Sequence, residues 1–200
     1  MTDPTIKDTI VAIDVDNLLI SSAMGGQKFK GYSLKCGFQK MFRWIETFGD
    51  ISQVHFYLAK EQSNNDSLWH NLWENYKDKF HFTYTYCPKR RSEKTGKKID
   101  NADNHLIYDV TRITSQGKDT IKYLCLASGD VDYSGLVWSL KRDLNINIAF
   151  IIGSEQSFCP VYRQMQVIGK HPLSGEELVH YFSPVKEKQT ETPSVSFFIN

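Results

Sequence analysis

Two periods of apolar residues alternate along the chain. Five short blocks, TIVAI (9–13), VHFYLA (54–59), HFTYTYC (81–87), IKYLCLA (121–127) and INIAFII (146–152), are rich in β-branched and aromatic residues and predict strands. Between them the period lengthens to that of a helix. Ser33 caps a predicted helix with an apolar stripe of Leu34, Phe38, Met41, Phe42, Ile45 and Phe48, and Gly49 follows as a stop signal. Asp66 opens a second, carrying Trp69, Leu72, Trp73, Tyr76 and Phe80. A third runs from about Asp100 with Leu106, Val110 and Ile113, and a fourth follows Asp132 with Leu136, Val137, Leu140 and Leu144. Such stripes are core material.

Strand and helix in alternation imply right-handed βαβ units, a mainly parallel sheet of about five strands and helices on both faces, an α/β fold in three layers. The first and fourth strands are almost wholly apolar, as central strands are. Residues 1–182 read as one domain. SPVKEKQTETP (183–193) is polar and reads as a linker, and the apolar SVSFFIN that ends residues 183–200 docks on its own sheet or on a neighbouring subunit, which would make a homodimer.

Composition narrows the field. Two hundred residues with 40% hydrophobic content bury a full core, and Lys+Arg 24 against Asp+Glu 23 leaves a net charge of +1, so any electrostatic preference is local. Cys36, Cys87, Cys125 and Cys159 are far apart with no CxxC pair, which fits reduced thiols better than disulfides or zinc. No basic leader with an apolar stretch and no membrane-spanning run is present, so a soluble cytoplasmic protein is expected.

Three acidic groupings fall at one predicted edge. Asp14 and Asp16 leave the first strand, Asp130 and Asp132 leave the fourth, and Asp100 and Asp103 open the third helix. Ligands of open parallel sheets bind beyond the carboxyl ends of the strands, where strand order reverses, so first and fourth strands adjacent at that reversal would bring Asp14 and Asp130 together. Several carboxylates in one place push each other's pKa upward unless a cation neutralises them, and oxygen ligands suit Mg²⁺ or Mn²⁺. The six scattered histidines supply no zinc set; His105, two residues from Asp103, is the one near an acid. Taken one at a time, each Asp has an ordinary explanation: a helix cap for Asp100, Asp132 or Asp66, an Asx turn for Asp16 with Asn17.

The order AIDVDNLL, KKIDNADNHLIYDV, CLASGDVDYSGLVWSLKRD resembles the NYN domains, in particular their LabA-like branch, within the PIN-like metal-dependent ribonucleases. The first motif of that family is matched by Asp14 and Asn17, the second by Asp103, Leu106 and Asp109, and the third, SGD-x-D-[FY], by Ser128, Gly129, Asp130, Asp132 and Tyr133. The family's lysine usually stands closer to the helix Asp than Lys98 does to Asp103, which leaves Asp100 as the alternative ligand. Asp109 is turned about 240° from Asp103 on a helix, which separates it from any shared metal.

The resemblance implies a three-layer α/β/α PIN-like (Rossmann-like) fold and hydrolysis of phosphodiester bonds with Mg²⁺ or Mn²⁺, on RNA rather than DNA. Asp14, Asp103, Asp130 and Asp132 would be the catalytic and metal-binding acids, with Asn17 and Ser128 hydrogen-bonding a phosphate oxygen. For the polyanion, PKRRSEKTGKK (88–98) sets Lys89, Arg90, Arg91, Lys94, Lys97 and Lys98 against Glu93, and leads straight into the acidic helix. Charge runs are usually solvated loops, yet this position favours phosphate contact. Two rivals differ in class. A haloacid-dehalogenase-type phosphatase also uses a strand-end DxD, but wants Gly-Thr where this chain has Asn17-Leu18. An RNA-binding scaffold would keep the acids and turn over slowly or not at all. GGQKFKGYS has the Gly26 to Gly31 spacing of a Walker loop but Tyr32 in place of its lysine.

Overall fold

The computed structural model describes residues 8–22, 31–59, 66–88, 90–91, 98–99, 101–117, 119–152, 158–164 and 169–172. Six strands, β1 (Thr9–Asp14), β2 (Ile51–Ala59), β3 (His81–Cys87), β6 (Tyr123–Ala127), β7 (Asn147–Ile152) and β8 (Gly169–Pro172), form one sheet in the order β3-β2-β1-β6-β7-β8. Every neighbouring pair is parallel. Strand order therefore runs outward in both directions from β1 and β6, and the reversal lies between them. Five strands coincide with the blocks read from sequence, and β8 is added on the edge. GKHP lacks β-branched residues, and its place comes from pairing Gly169–Pro172 with Ala149–Ile152.

Helices cover both faces, each with its own core. On one, α2 (Gly31–Ile45) and α3 (Asp66–Tyr76) place Phe38, Phe42 and Leu72 against Val54, Phe56 and Phe82 of the sheet. Phe42 meets Tyr76 and Phe80 edge to face at 5.1 and 5.4 Å, and such contacts add to the roughly 1.5–3 kcal/mol that burying one large apolar side chain contributes. On the other, α4 (Ala102–Gln116) and α5 (Ser134–Leu144) pack Leu106, Val110, Val137 and Leu140 on Ile10, Ala12, Leu124 and Leu126. Asn145 ends α5 in the left-handed region with φ 53°, and its N–H donates to the Leu140 carbonyl.

One helix has no counterpart in the sequence reading. α1 (Val15–Ser22) starts directly from the last residue of β1, with Asp16 in its first turn. The chain thus folds back at once at the carboxyl edge. The basic segment leaves β3 and returns to α4 as a two-stranded antiparallel pair, β4 (Arg90–Arg91) with β5 (Lys98–Ile99). No helix among the described residues is long and apolar enough to cross a membrane. The linker and apolar tail at 183–200 lie outside the described residues.

Candidate active site at the carboxyl edge

Asp14 is the last residue of β1, and the abrupt start of α1 fixes it. One of its oxygens, Oδ1, accepts the backbone N–H of Asn17 at 3.0 Å, a cap across the first turn. The side chain of Asn17 points the other way and donates Nδ2–H to Asp130 Oδ2 at 3.3 Å. A single residue of α1 therefore ties the acid ending β1 to the acid following β6. Adjacency of β1 and β6 at the reversal makes this reach short, as the sheet rule requires.

Asp130 sits in a loop built by its own neighbours. Its N–H donates to Ser128 Oγ at 3.2 Å, while its Oδ1 accepts the Asp132 N–H at 3.2 Å, capping the short 3₁₀ turn Val131–Tyr133. The segment after β7 braces this loop from outside. Cys159 N–H donates to the Gly129 carbonyl at 2.9 Å, Tyr162 Oη donates to the Asp130 carbonyl, and Tyr162 packs against Phe150 at 4.6 Å.

The third acid arrives on α4 and is joined through Tyr133. The buried phenol oxygen of Tyr133 lies 2.7 Å from Asp14 Oδ2 and 2.7 Å from Asp103 Oδ1. A phenol has one proton, so it donates to one of these carboxylates at a time, and both acids share a single hydroxyl. Only 4% of Asp14 is exposed, and burial pushes its pKa from 3.8 up to about 7; the Asn17 N–H and Tyr133 hydroxyl pull it down, and the charges of Asp103 and Asp16 add to the rise.

Asp14, Asp103 and Asp130 are thus brought to one edge by three separate stretches of chain, linked through Tyr133 and Asn17. They are not stacked round one point: among the described residues, no three His, Cys, Asp or Glu side chains lie close enough to hold an ion between them. The donor set still fits a hard cation, because Mg²⁺ is commonly held by one or two carboxylates with water and substrate phosphate completing its shell. Asp132 is exposed at the same loop, Asn17 Nδ2 donates to the Asp130 carboxylate, and Ser128 Oγ accepts the Asp130 backbone N–H. β4 and β5 connect the carboxyl end of β3 to α4 and include Arg90, Arg91 and Lys98. Lys97 and Asp100 lie outside the described residues.

Asp109 stands apart. Its Oδ2 accepts from Tyr57 Oη at 3.4 Å and its Oδ1 faces Arg112 Nη2 at 3.5 Å, away from the other acids. The sequence reading placed Tyr133 in the motif without a role, and its bridging phenol is the group that reading missed. The SGDVDY string carries the signal, since a tyrosine right after strand-end acids has a hydroxyl to place among them.

A family model described as the NYN domain matches residues 8–166. No curated protein matches the chain. A crystal structure of a protein of unknown function from Vibrio parahaemolyticus is similar, with a TM-score of 0.52 at 13% sequence identity over 92% of this chain and 93% of that one. That likeness concerns the fold alone.

Proposed function

This chain belongs to the NYN domain family, itself within the PIN-like nuclease superfamily, and from that premise we propose that it hydrolyses phosphodiester bonds of single-stranded RNA with Mg²⁺ or Mn²⁺. The observation that carries the reading is the convergence of Asp14, Asp103 and Asp130 from β1, α4 and the β6 loop at the strand-order reversal.

Asp14 and Asp103 are the carboxylates for the ion, and Asp130 with Asp132 completes the acidic rim. Bound there, the cation would lower the pKa of the attacking water and offset charge building on the phosphate. Asn17 holds Asp14 and Asp130 in mutual register through its backbone and side chain. Tyr133 ties Asp14 to Asp103 through its single hydroxyl. The basic strands β4 and β5 would carry the nucleic-acid backbone toward α4, giving affinity without sequence choice.

The test is cleavage of single-stranded RNA and DNA with Mn²⁺, using the wild type, Asp14→Asn and Asp130→Asn. Metal-dependent cutting of RNA that disappears in both variants supports the proposal. Release of phosphate from a small monoester through a covalent aspartyl species would replace it with the phosphatase. A second reading, an RNA-binding scaffold, is favoured by the full engagement of both Asp14 oxygens within the protein, and binding without turnover would establish it.

A further inference from the structure

Away from the acidic edge, β2, β3, the second half of α4 and the turn after it line a half-open cavity of about 500 Å³. That is the size of small-ligand sites, which run about 300–1,000 Å³. Its origin is visible in the strand alternation. Val54, Phe56 and Phe82 enter the core under α2 and α3, while Gln53, His55, His81, Thr83 and Thr85 turn to the α4 side. There α4 covers the apolar residues of β1 and β6, and the polar faces of β2 and β3 are left as a wall with Asp109 and Arg112 opposite.

The wall is organised. Thr83 Oγ1 is 2.7 Å from His55 Nδ1, and His55 Nε2 is 3.0 Å from Gln53 Oε1. An amide oxygen only accepts, so Nε2 carries the proton and Nδ1 accepts from Thr83. Burial holds the His55 pKa down at about 4, which keeps the ring neutral at physiological pH. Gln53 then has its two amide N–H groups left to donate, and Thr83 has acceptor capacity left. Facing them, Asp109 has only long contacts among the described residues, 3.4 Å to Tyr57 Oη and 3.5 Å to Arg112 Nη2. A carboxylate offers about four acceptor sites, so Asp109 has room for stronger donors. One acid against one arginine makes the cavity balanced in charge, which selects against a bare cation or anion.

We propose that this cavity binds the ribose of a small nucleoside or nucleotide, with the vicinal hydroxyls donating to Asp109 and the Gln53 amide and Thr83 hydroxyl meeting the rest of the ligand. Arg112, about half exposed at 47%, would meet a phosphate where the ligand has one. The inference goes beyond the nuclease reading and does not depend on it, since Asp103 and Asp109 leave α4 in directions about 120° apart.

Calorimetric titration of the full chain in EDTA tests it, with adenosine, adenosine monophosphate and 2′-deoxyadenosine as probes at up to millimolar concentration. Adenosine and its monophosphate should both bind, 2′-deoxyadenosine at least about tenfold more weakly, the loss of roughly one hydrogen bond. Asp109→Asn should weaken adenosine by a similar factor, and Thr83→Val, an isosteric change on the β3 wall, should also weaken it, with far-UV dichroism confirming that both variants fold. No binding, or equal binding of the deoxynucleoside, overturns the proposal. So does binding that survives both cavity variants and is lost in Asp103→Asn, which would locate the ligand at the acidic edge, and so does binding of the monophosphate without adenosine.

Discussion

Replacing Asp14 by asparagine removes the charge that the fold least tolerates while keeping the shape of the side chain. The carboxyl titrates near 3.8 when unfolded and near 7 in the folded protein, because burial disfavours its ionised form. Below pH 4 both states are protonated and Asp14 costs nothing. Between 4 and 7 the unfolded chain gives up the proton and the folded one keeps it, so folding loses about 1.4 kcal/mol per pH unit, or about 4 kcal/mol in all, and above 7 that cost is constant. His55 works in the opposite direction. Its pKa is lowered from 6.5 to about 4, so its contribution is present above 6.5 and is lost as pH falls through that window, about 3 kcal/mol at most. In the wild type the two slopes nearly cancel between pH 4 and 6.5. Asp14→Asn should uncover the histidine: urea denaturation in EDTA should show stability rising by about 1 kcal/mol or more per pH unit over that window. By pH 8 the variant should exceed the wild type by up to about 4 kcal/mol, with little difference at pH 4. If the variant is no more stable than the wild type at pH 8, or if the gap is the same at both pH values, the ionisation of Asp14 is not opposed by burial and the reasoning fails.

Other perturbations follow from the same contacts. His55→Gln should give the mirror profile, with stability falling as pH rises from 4 to 7; a flat curve would mean that Asp14 is not the compensating group. Tyr133→Phe leaves Asp14 and Asp103 without their shared hydroxyl and should cost about 1–3 kcal/mol, read from urea midpoints in EDTA. Gly49→Ala would place a Cβ 2.1 Å from Oγ1 of the buried Thr9, and the side-chain rearrangement this forces should lower stability by about 1–3 kcal/mol, where an unchanged melting temperature would contradict the packing. Changing Arg90 and Arg91 together to Ala should weaken RNA binding for all sequences alike and lower the slope of log K against log salt by about 1–2, measured by filter binding.

Much of this architecture is legible in the sequence, and the parts that are not share a cause. The five apolar strand blocks announce themselves because residues such as Val11, Ile13, Leu124 and Leu126 must be buried on a face, and burial leaves a composition behind. β8 leaves none, since an edge strand is held by its backbone pairing with β7. α1 escapes because it follows β1 without a break, so that Asp14, Val15 and Asp16 read as one continuing run. The carboxylates at strand ends can be placed from topology alone, since the reversal of strand order puts the ends of β1 and β6 side by side. Their linkage cannot. That Asn17 spans Asp14 and Asp130, and that one phenol serves both Asp14 and Asp103, depends on how α1 and α4 sit on the sheet, which local patterns do not encode. The polar cavity was hidden for the opposite reason: HFTYTYC reads as ordinary alternation, and only the position of α4 shows that its Thr and His face a hollow.

The brace formed by Cys159 and Tyr162 means that the last of the three motifs does not carry its own geometry. A chain cut after Ile152 would retain every acidic residue named above and most of both cores, yet the turn bearing Asp130 would lose its outer scaffold, including the tyrosine that grips its carbonyl. The structural unit that supports the acidic edge therefore extends past the final central strand, through at least Gln164, and shortened versions that fold while losing the geometry of the Asp130 turn would mark that boundary.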